Sequence, residues 1–445
     1  MTALKLNPVL AVLLAAGLLC WAAVYNGYPL VYPDTGGYLG LGGSPSFRSF
    51  FYNLFLCPAL GLHSLWPVVF IQSLITAHLL GLVLRTVFGL ASPWSLPLVM
   101  LPLALLSNLA WFTGFIMPDI FTGVLILAFF LLFFGGARLS RGEQLYLTGL
   151  AVVAITVHFS HLPLAIALLL VGGVVKLAAR GLADLPPPAL ARGVAAVVIA
   201  VILLLANGYR TYGCLTMAPG GYAFPLARLV ADGPAVRYLR EHCPEKHYAL
   251  CDYLDELPAD FDAFMWPEDS PFRKVGWIDG YRQEGREIVI GTVFHYPFEV
   301  GRLVVRNTLL QLFMFNNWYG LAPFRHLPYP TNDIKAHFPG EFNAYVNCRQ
   351  NDNTLGLKWF NLLHRLVIAG CVPLAGALWL RFRRRRQLLP VLLLAALAVA
   401  YGLSAVVTAA ISGPHNRYGS RLIWLLPFFC IAAVLQLIRD RRRLA

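Results

Sequence analysis

The chain has 445 residues, of which 58% are hydrophobic and 13% charged, with a formal net charge of +13 and a mean hydropathy of +0.64. This composition excludes a protein built mainly of soluble domains, because apolar stretches recur that match the roughly 20 residues needed to cross a bilayer core of about 30 Å. A charge of this size can indicate nucleic-acid binding, so its distribution along the chain has to be considered first.

Hydrophobic stretches predict ten membrane-spanning helices, and an even number places both termini on one side of the membrane. The first stretch is long and lacks a clear small-x-small cleavage site, so we expect it to be retained and not removed as a signal peptide. The predicted spans are residues 7–25, 65–88, 92–111, 119–135, 144–160, 162–178, 193–209, 357–380, 387–411 and 422–438.

Basic residues concentrate in the short connections on the side of the termini. These connections carry 16 of the 35 basic residues and three of the 22 acidic ones, so the rest of the chain, with 19 of each, is neutral. The positive-inside rule makes this face cytoplasmic, which predicts a multi-pass protein of the bacterial cytoplasmic membrane with both termini in the cytoplasm. Loops 26–64 and 210–356 then face the periplasm or exterior. The arginine-rich stretch 381–386 anchors this topology, and no nucleic-acid partner is expected.

The predicted fold class is an all-α polytopic membrane protein, about ten transmembrane helices, with a small mixed outward-facing domain between helices seven and eight. Residues 1–209 hold the first seven spans and the first outward loop, residues 210–356 form the outward domain, and residues 357–445 hold the last three spans. Within the outward domain, the apolar spacing of residues 297–316 predicts a helix lying on the membrane face.

Four cysteines fall in the outward segment, where disulfides persist. Cys243 and Cys251 are close enough in sequence for a small bridged loop, and Cys214 would then pair with Cys348. Four cysteines allow three pairings, so this pairing is a preference among alternatives. The other cysteines lie in apolar surroundings and are interpreted as small packing residues; they are Cys20, Cys57, Cys371 and Cys430.

An acidic residue follows the first span within residues 32–38, Tyr-Pro-Asp-Thr-Gly-Gly-Tyr. The flanking Pro and Gly residues predict a tight turn at the membrane surface that presents Asp34, with Tyr38 four residues further on. Arg48 comes next, in an apolar stretch that predicts a helix along the membrane surface. An ordinary exposed loop acid is the alternative interpretation of Asp34, and a simple interfacial anchor is the alternative for the stretch that holds Arg48.

A second acid, Asp119, follows Pro118 at the predicted start of the fourth span, on the same side as Asp34. Ionisable groups at the membrane are costly and tend to be kept for function. A structural explanation is also available, because Pro suits the first turn of a helix and a carboxylate favours the positive end of its dipole.

Two histidines lie at the outward junction of the fifth and sixth spans. His158 and His161 are three residues apart and share one face of a helix. Imidazoles placed in this way bind a metal ion or hydrogen-bond to a phosphate. The spacing is also common by chance, which leaves a structural interpretation open.

Arginines occur again in the predicted outward loop between the last two spans. Arg417 and Arg421, with Tyr418 between them, break the positive-inside trend, so membrane topology does not explain them. Paired guanidinium groups suit a phosphate or diphosphate head group. By contrast, the acidic run of the outward domain is interpreted as a solvated face; it comprises Asp252, Asp255, Glu256, Asp260, Asp262, Glu268 and Asp269.

Together these features resemble the GT-C superfamily, multi-span membrane glycosyltransferases that use polyprenyl-phosphate sugar donors. The resemblance implies that Asp34 takes the place of the first-loop carboxylate, which activates the acceptor or helps to hold a divalent metal, Mg or Mn. Asp119 resembles the second outward acid and would share that metal. Arg417 and Tyr418 resemble the late loop that meets the lipid phosphate. Many relatives carry two adjacent acids in the first loop, whereas Thr35 follows Asp34 here.

The resemblance implies a glycosyltransferase that moves a sugar from a polyprenyl-phosphate donor to a glycan, lipid or protein acceptor at the outer membrane face. Asp34 would act as the general base. The substrate and its phosphate would lie near Arg48, Tyr38, Arg417, Tyr418, Arg421, His158 and His161. The alternatives are a non-catalytic membrane assembly or accessory protein, and a lipid-linked glycan polymerase, ligase or transporter.

Overall fold

The computed structural model describes residues 6–40, 48–180, 186–218, 220–317 and 320–442. Within these ranges the regular secondary structure is helical, and an isolated parallel bridge joins Leu30 to Phe115. The apolar helices make the protein a polytopic helical membrane protein, as the sequence predicts.

We call the helices that share the main hydrophobic core the membrane body. Most of these helices precede the long segment 210–356. They are α1 (Pro8–Leu19), α2 (Trp21–Asn26), α3 (Pro33–Leu39), α4 (Phe50–Leu62), α5 (Trp66–Phe88), α6 (Ser95–Leu106), α7 (Leu109–Thr113), α8 (Ile120–Phe134), α9 (Arg141–Thr156), α10 (His161–Ala178) and α11 (Ala191–Tyr212), with a 3₁₀ turn at Gly136–Arg138.

The long segment and the chain after it contribute the remaining helices. Those of the long segment are α12 (Ala223–Ala231), α13 (Pro234–Lys246), α14 (Phe261–Met265), α15 (Pro271–Lys274), α16 (Trp277–Gly280), α17 (Arg282–His295), α18 (Pro297–Leu312), α19 (Pro328–His337) and α20 (Phe342–Val346), with 3₁₀ helices at Ala249–Glu256 and Pro339–Glu341. The last four are α21 (Leu357–Arg384), α22 (Leu388–Ile411), α23 (Asn416–Ile423) and α24 (Leu425–Arg442).

Seven helical stretches among the described residues are long and apolar enough to cross a membrane, or eight if α17 and α18, which meet at a bend of 98°, count as one. The ten predicted spans are therefore not confirmed. The three predicted at 92–111, 119–135 and 144–160 correspond to shorter helices, α6, α8 and α9, of 12, 15 and 16 residues. At about 1.5 Å per residue, such helices are shorter than a bilayer core of about 30 Å.

Helix α8 lies at the centre of the membrane body. Its residues are apolar on every side and nearly all of them are buried, which is the pattern of a helix surrounded by others. It packs against α5, α9, α10, α22 and α23. Asp119 directly precedes this helix, so the sequence that makes α8 central also places a carboxylate deep inside the protein.

The long segment divides between two hydrophobic cores. Its helices α12 to α17 enclose their own core, here called the second core, which runs from Tyr222 to Ile288. Residues further on, such as Phe338 and Tyr345, belong to the main core of the membrane body. The segment's described residues form helices and no strand, so the mixed domain is not confirmed.

One of the two preferred disulfides is present. Cys243 and Cys251 are bridged with a Cα–Cα distance of 5.7 Å, which ties the end of α13 to the next 3₁₀ helix. The pairing of Cys214 with Cys348 is wrong, since both are free. Cys348 is buried in the main core, whereas Cys214 is exposed near Arg282 of α17. A disulfide needs Cα atoms within about 7 Å, and these cysteines belong to different parts of the fold.

The helix predicted over 297–316 is present as α18. Its aromatic and aliphatic side chains Phe298, Val305 and Leu309 are largely exposed, while Asn307 and Gln311 are buried. Buried amides and exposed apolar groups are the reverse of a soluble helix. The pattern favours contact of the exposed side of α18 with lipid, while its amides bind protein.

Candidate functional site

The two predicted acids are brought together by backbone pairing between the first loop and the segment before α8. The backbone N–H of Leu30 donates to the carbonyl of Gly114 at 2.9 Å, and the N–H of Ile116 donates to the carbonyl of Leu30 at 2.9 Å. The hydroxyl of Thr35 donates to the carbonyl of Ile116 at 3.1 Å. Asp34, in the first turn of α3, is thereby held beside Asp119.

Arg417 joins both carboxylates. Its Nε and Nη2 donate to the two oxygens of Asp119 at 2.8 and 2.6 Å, and its Nη1 donates to Oδ2 of Asp34 at 3.2 Å. Arg48 donates to the other oxygen of Asp34. Nη1 of Arg421 lies 3.6 Å from Oδ1 of Asp119. We call these five residues the charged cluster.

The charged cluster is buried and carries excess positive charge. Asp119 is fully buried and Arg417 and Arg421 are 8% and 1% exposed, whereas the side chains of Asp34 and Arg48 are each 15% exposed. Three guanidinium groups face two carboxylates, so one positive charge lacks a counterion within the cluster. Buried charge is costly unless it is paired. The arrangement therefore favours binding of an anion.

The side chain of Arg421 is the member of the cluster with free hydrogen-bonding capacity. Its Nε and Nη1 have no hydrogen-bond partner among the described residues. Arg417 and Arg421 are four residues apart on α23 and therefore point to the same side. The start of α23 is fixed by Gln311 of α18, which exchanges hydrogen bonds with the backbone of His415 at 2.8 and 3.0 Å. Burial lowers the pKa of His415.

Aromatic rings cover the two buried arginines. The guanidinium carbon of Arg417 lies 4.5 Å from the ring centre of Tyr32, and that of Arg421 lies 5.1 Å from that of Tyr418. Such contacts stabilise a cation. Gly320 packs on the ring of Tyr32 with φ of +87°, and a Cβ there would lie 1.7 Å from a ring carbon. Only glycine fits this position.

Tyr38 is buried and packs next to the site. Its ring packs at 4.8 Å against Tyr52, whose hydroxyl donates to Gln72 at 3.1 Å. Gln72 in turn donates to the carbonyls of Thr113 and Phe115 at 3.1 and 2.9 Å. Burial raises the pKa of Tyr38. The ring therefore packs α3 against α4, and the structure gives it a packing role beside the charged cluster.

The histidine pair lies near the cluster, but the two rings differ. His161 is fully buried, and its Nδ1 and Nε2 are bonded to the Ala154 carbonyl at 2.6 Å and the Thr122 hydroxyl at 2.7 Å. Both nitrogens are occupied, which leaves no lone pair for a metal. The half-buried ring of His158 lies 5.0 Å from it and accepts the backbone N–H of Ser160 at Nδ1. A neutral His158 then carries its proton on Nε2.

The residues present do not fit the divalent metal that the resemblance implies. Among the described residues no three His, Cys, Asp or Glu side chains are grouped as a metal site. Asp34 and Asp119 are bridged by Arg417, and both oxygens of each carboxylate accept from a guanidinium group. A cation at this position would have to displace Arg417. The geometry favours an anion instead.

A small cavity adjoins Arg417 and was not predicted from the sequence. Its volume of about 20 Å³ is enough for about one water molecule. Its residues include aromatics and amides, which lie in apolar stretches without any charge to single them out. They are Trp111, Phe112, Phe115, Asn316, Asn317, Leu321, Arg417 and Ser420.

Comparisons of this chain with protein-family models, with curated proteins and with solved structures found no match. The charged cluster and the adjoining cavity are therefore the features from which a function is inferred.

Proposed function

We propose that this protein is a membrane glycosyltransferase of GT-C type that uses a polyprenyl-phosphate-linked sugar. The observation that carries the proposal is the buried charged cluster, in which three guanidinium groups face two carboxylates and Arg421 keeps unpartnered N–H groups. Guanidinium groups bind phosphate oxygens through charge-assisted hydrogen bonds. A lipid phosphate bound by Arg421 would supply the missing negative charge.

In the proposed reaction, an acceptor hydroxyl oxygen attacks the anomeric carbon of the sugar. The bond between that carbon and the phosphate oxygen breaks, and the lipid phosphate leaves with the electron pair. Arg417 and Arg421 stabilise the growing negative charge. The hydroxyl proton passes to Asp34, which needs to lie within hydrogen-bond reach of the acceptor.

Burial supports the assignment of different roles to the two acids. Asp119 is fully enclosed and holds Arg417 through two hydrogen bonds, so it positions the arginine. Asp34 is the more exposed carboxylate, at 15%, and is the acid that an acceptor approaches more easily. As the base, Asp34 must give up one of its guanidinium contacts when the acceptor binds.

The proposal includes a topology. The charge asymmetry supports both termini in the cytoplasm and the charged cluster toward the periplasm or exterior of a bacterial cytoplasmic membrane. If the chain crosses the membrane ten times, three of the crossings are made by the short helices α6, α8 and α9 together with the residues that flank them. Burial of α8 among other helices supports this, because it keeps irregular backbone away from lipid. The acceptor, a glycan, lipid or protein, would enter from the side of the long segment.

A non-catalytic lipid-phosphate-binding accessory protein is the second candidate. The observation that favours it is the double pairing of Asp34, which accepts from Arg48 and from Arg417. The same pairing is expected in a polymerase, ligase or transporter of lipid-linked glycans, because such a protein would rely on the arginines and would not use Asp34 as a base. Replacement of Asp34 separates these candidates from a transferase.

The test uses the full chain in nanodiscs with a panel of farnesyl-phosphoryl sugars and a bacterial membrane extract as the source of acceptor. Asp34→Asn keeps the size of the side chain and removes the base. We expect donor binding to stay within a few-fold of wild type and the rate of farnesyl phosphate release to fall by roughly 10²–10⁴-fold. Arg421→Gln should weaken the binding of every member of the panel.

Glu268→Gln is the matched control, because it removes an exposed carboxylate far along the chain from the cluster. An unchanged rate in Asp34→Asn, together with lost binding in Arg421→Gln, would support the accessory, polymerase, ligase or transporter candidates. Absence of binding to wild-type protein would exclude all of these uses of a lipid phosphate.

A further inference from the structure

The cavity beside Arg417 is lined by two residues whose buried side-chain N–H groups have no partner among the described residues. Trp111 is 2% exposed and Asn317 is 5% exposed, and both line the cavity. Nε1 of Trp111 and Nδ2 of Asn317 make no hydrogen bond within the described part of the chain. Buried N–H groups are nearly always satisfied in folded proteins. Two such groups at one cavity are open to an acceptor oxygen, from a water or from a ligand.

The fold holds both donors in place without using their N–H groups. The indole of Trp111 packs against Trp21 and Phe360, with ring centres 5.8 and 5.1 Å away. The backbone N–H of Asn317 donates to Oδ1 of Asn361 at 2.7 Å. The donors are therefore fixed by packing and by backbone contacts before any ligand binds, which lowers the entropic cost of recognition.

The walls of the cavity define the chemistry of the ligand. The rings of Trp111, Phe112 and Phe115 and the side chain of Leu321 make apolar walls. Within the described chain, the buried polar atoms that these lining residues leave unpartnered are the N–H groups of Trp111 and Asn317. A sugar presents apolar C–H groups together with hydroxyl oxygens that accept hydrogen bonds. The volume of about 20 Å³ admits one oxygen and not a whole ring. The matching group is thus a single hydroxyl.

We propose that this cavity is a specificity subsite for one hydroxyl of the sugar carried by the lipid phosphate. The proposal rests on the proposed function, because Arg417, which lines the cavity, also belongs to the cluster that would hold the phosphate. The sugar is bonded directly to that phosphate and is therefore the part of the donor that reaches the cavity. Trp111 and Asn317 are specificity residues that do not touch the reacting atoms.

The experiment compares the full-length wild type in nanodiscs with Trp111→Phe, which removes the N–H and keeps an aromatic ring, and with Asn317→Leu. Trp266→Phe is the matched control, because its indole packs on the second core, away from the cavity, and already donates to Oδ1 of Asp262 at 2.9 Å. The probes are farnesyl phosphate, its sugar esters and the single-deoxy analogues of the ester that binds best. Thermal unfolding of each variant reports whether it folds.

We expect the wild type to bind the best sugar ester about tenfold more tightly than one of its deoxy analogues, which is the effect of one hydrogen bond. Trp111→Phe should bind those two probes equally and bind farnesyl phosphate as the wild type does. Trp266→Phe should keep the discrimination. A coupled loss of this kind marks a direct interaction between the indole N–H and that hydroxyl.

The outcomes separate the two proposals. Binding of farnesyl phosphate and its esters by the wild type, without discrimination among deoxy analogues, would overturn the subsite and leave the proposed function standing. Equal weakening of farnesyl phosphate and of the sugar ester by Trp111→Phe would assign the indole to the phosphate or to packing, and would also overturn the subsite. Absence of binding by every probe would overturn both proposals. Should Trp111→Phe fail to fold, Asn317→Leu takes its place in the comparison with the wild type. Loss of the discrimination in Asn317→Leu would support the subsite, and retained discrimination would overturn it.

Discussion

The charged cluster and the acidic run of the long segment show two opposite ways in which this chain uses charge. The cluster draws its five residues from three distant parts of the sequence, around positions 34–48, 119 and 417–421, and buries them together. The acidic run packs seven acids into residues 252–269, yet six of the seven are exposed. The density of charged residues along the sequence therefore does not predict where charged side chains assemble in the folded protein.

Three of the seven carboxylates of the run make local contacts. Asp260 accepts the backbone N–H of Ala263 at 2.8 Å at the start of α14, and Asp262 accepts the indole N–H of Trp266 at 2.9 Å. Glu256 pairs with Lys274 at the surface. The predicted solvated face is confirmed. In the cluster the same chemical groups act across long sequence distances, because only burial forces a charge to find a partner.

The largest effect is expected from Asp119→Asn. The substitution removes the buried anion that pairs with Arg417 and Arg421 and leaves two buried cations with less compensation. We expect the free energy of unfolding in mixed detergent micelles to fall by about 3–5 kcal/mol. A loss below about 1 kcal/mol would show that the cluster is hydrated, like the acidic run, and would remove the contrast between the two regions.

An intermediate effect is expected from the double replacement Cys243→Ser/Cys251→Ser. The disulfide closes a short loop beside the second core, and its loss should lower local stability there by about 2–3 kcal/mol. Hydrogen exchange should accelerate in α13 and the 3₁₀ helix Ala249–Glu256, and stay unchanged in α23. Equal acceleration in α23 would show that the second core and the charged cluster unfold as one unit.

The smallest effect is expected from Glu268→Gln, which removes an exposed charge of the acidic run. Surface substitutions of this kind change the free energy of unfolding by less than about 0.5 kcal/mol. The measurement is the same micelle unfolding as for Asp119→Asn. A loss above about 1 kcal/mol would mean that the run carries a structural contact that its exposure does not reveal.

Much of the candidate site follows from the sequence. Ionisable residues next to apolar spans predict Asp34, Arg48, Asp119, Arg417 and Arg421, and the structure brings all five together. The reason is thermodynamic, since charge at a membrane-embedded position persists only when it has a partner or a function. The contact partners of each residue were not predictable, because they depend on how the helices pack.

The residues of the site that the sequence does not predict are mainly uncharged. Trp111, Asn317 and Gly320 lie in apolar or irregular stretches, where nothing in the residue type signals a cavity or a close approach. His161 was predicted as a ligand, but its two nitrogens are occupied by Thr122 and Ala154. Whether a polar atom is satisfied is a property of its neighbours in space.

The sequence by itself determined the membrane class, seven of the ten predicted spans, the Cys243–Cys251 pair and the acids and arginines of the cluster. These depend on hydropathy, short loops and the cost of charge in lipid, which act locally along the chain. The tertiary structure alone decided that α6, α8 and α9 are short, that Cys214 and Cys348 stay apart, and that Arg417 joins Asp34 to Asp119. Each of these depends on the packing of helices that are far apart in sequence.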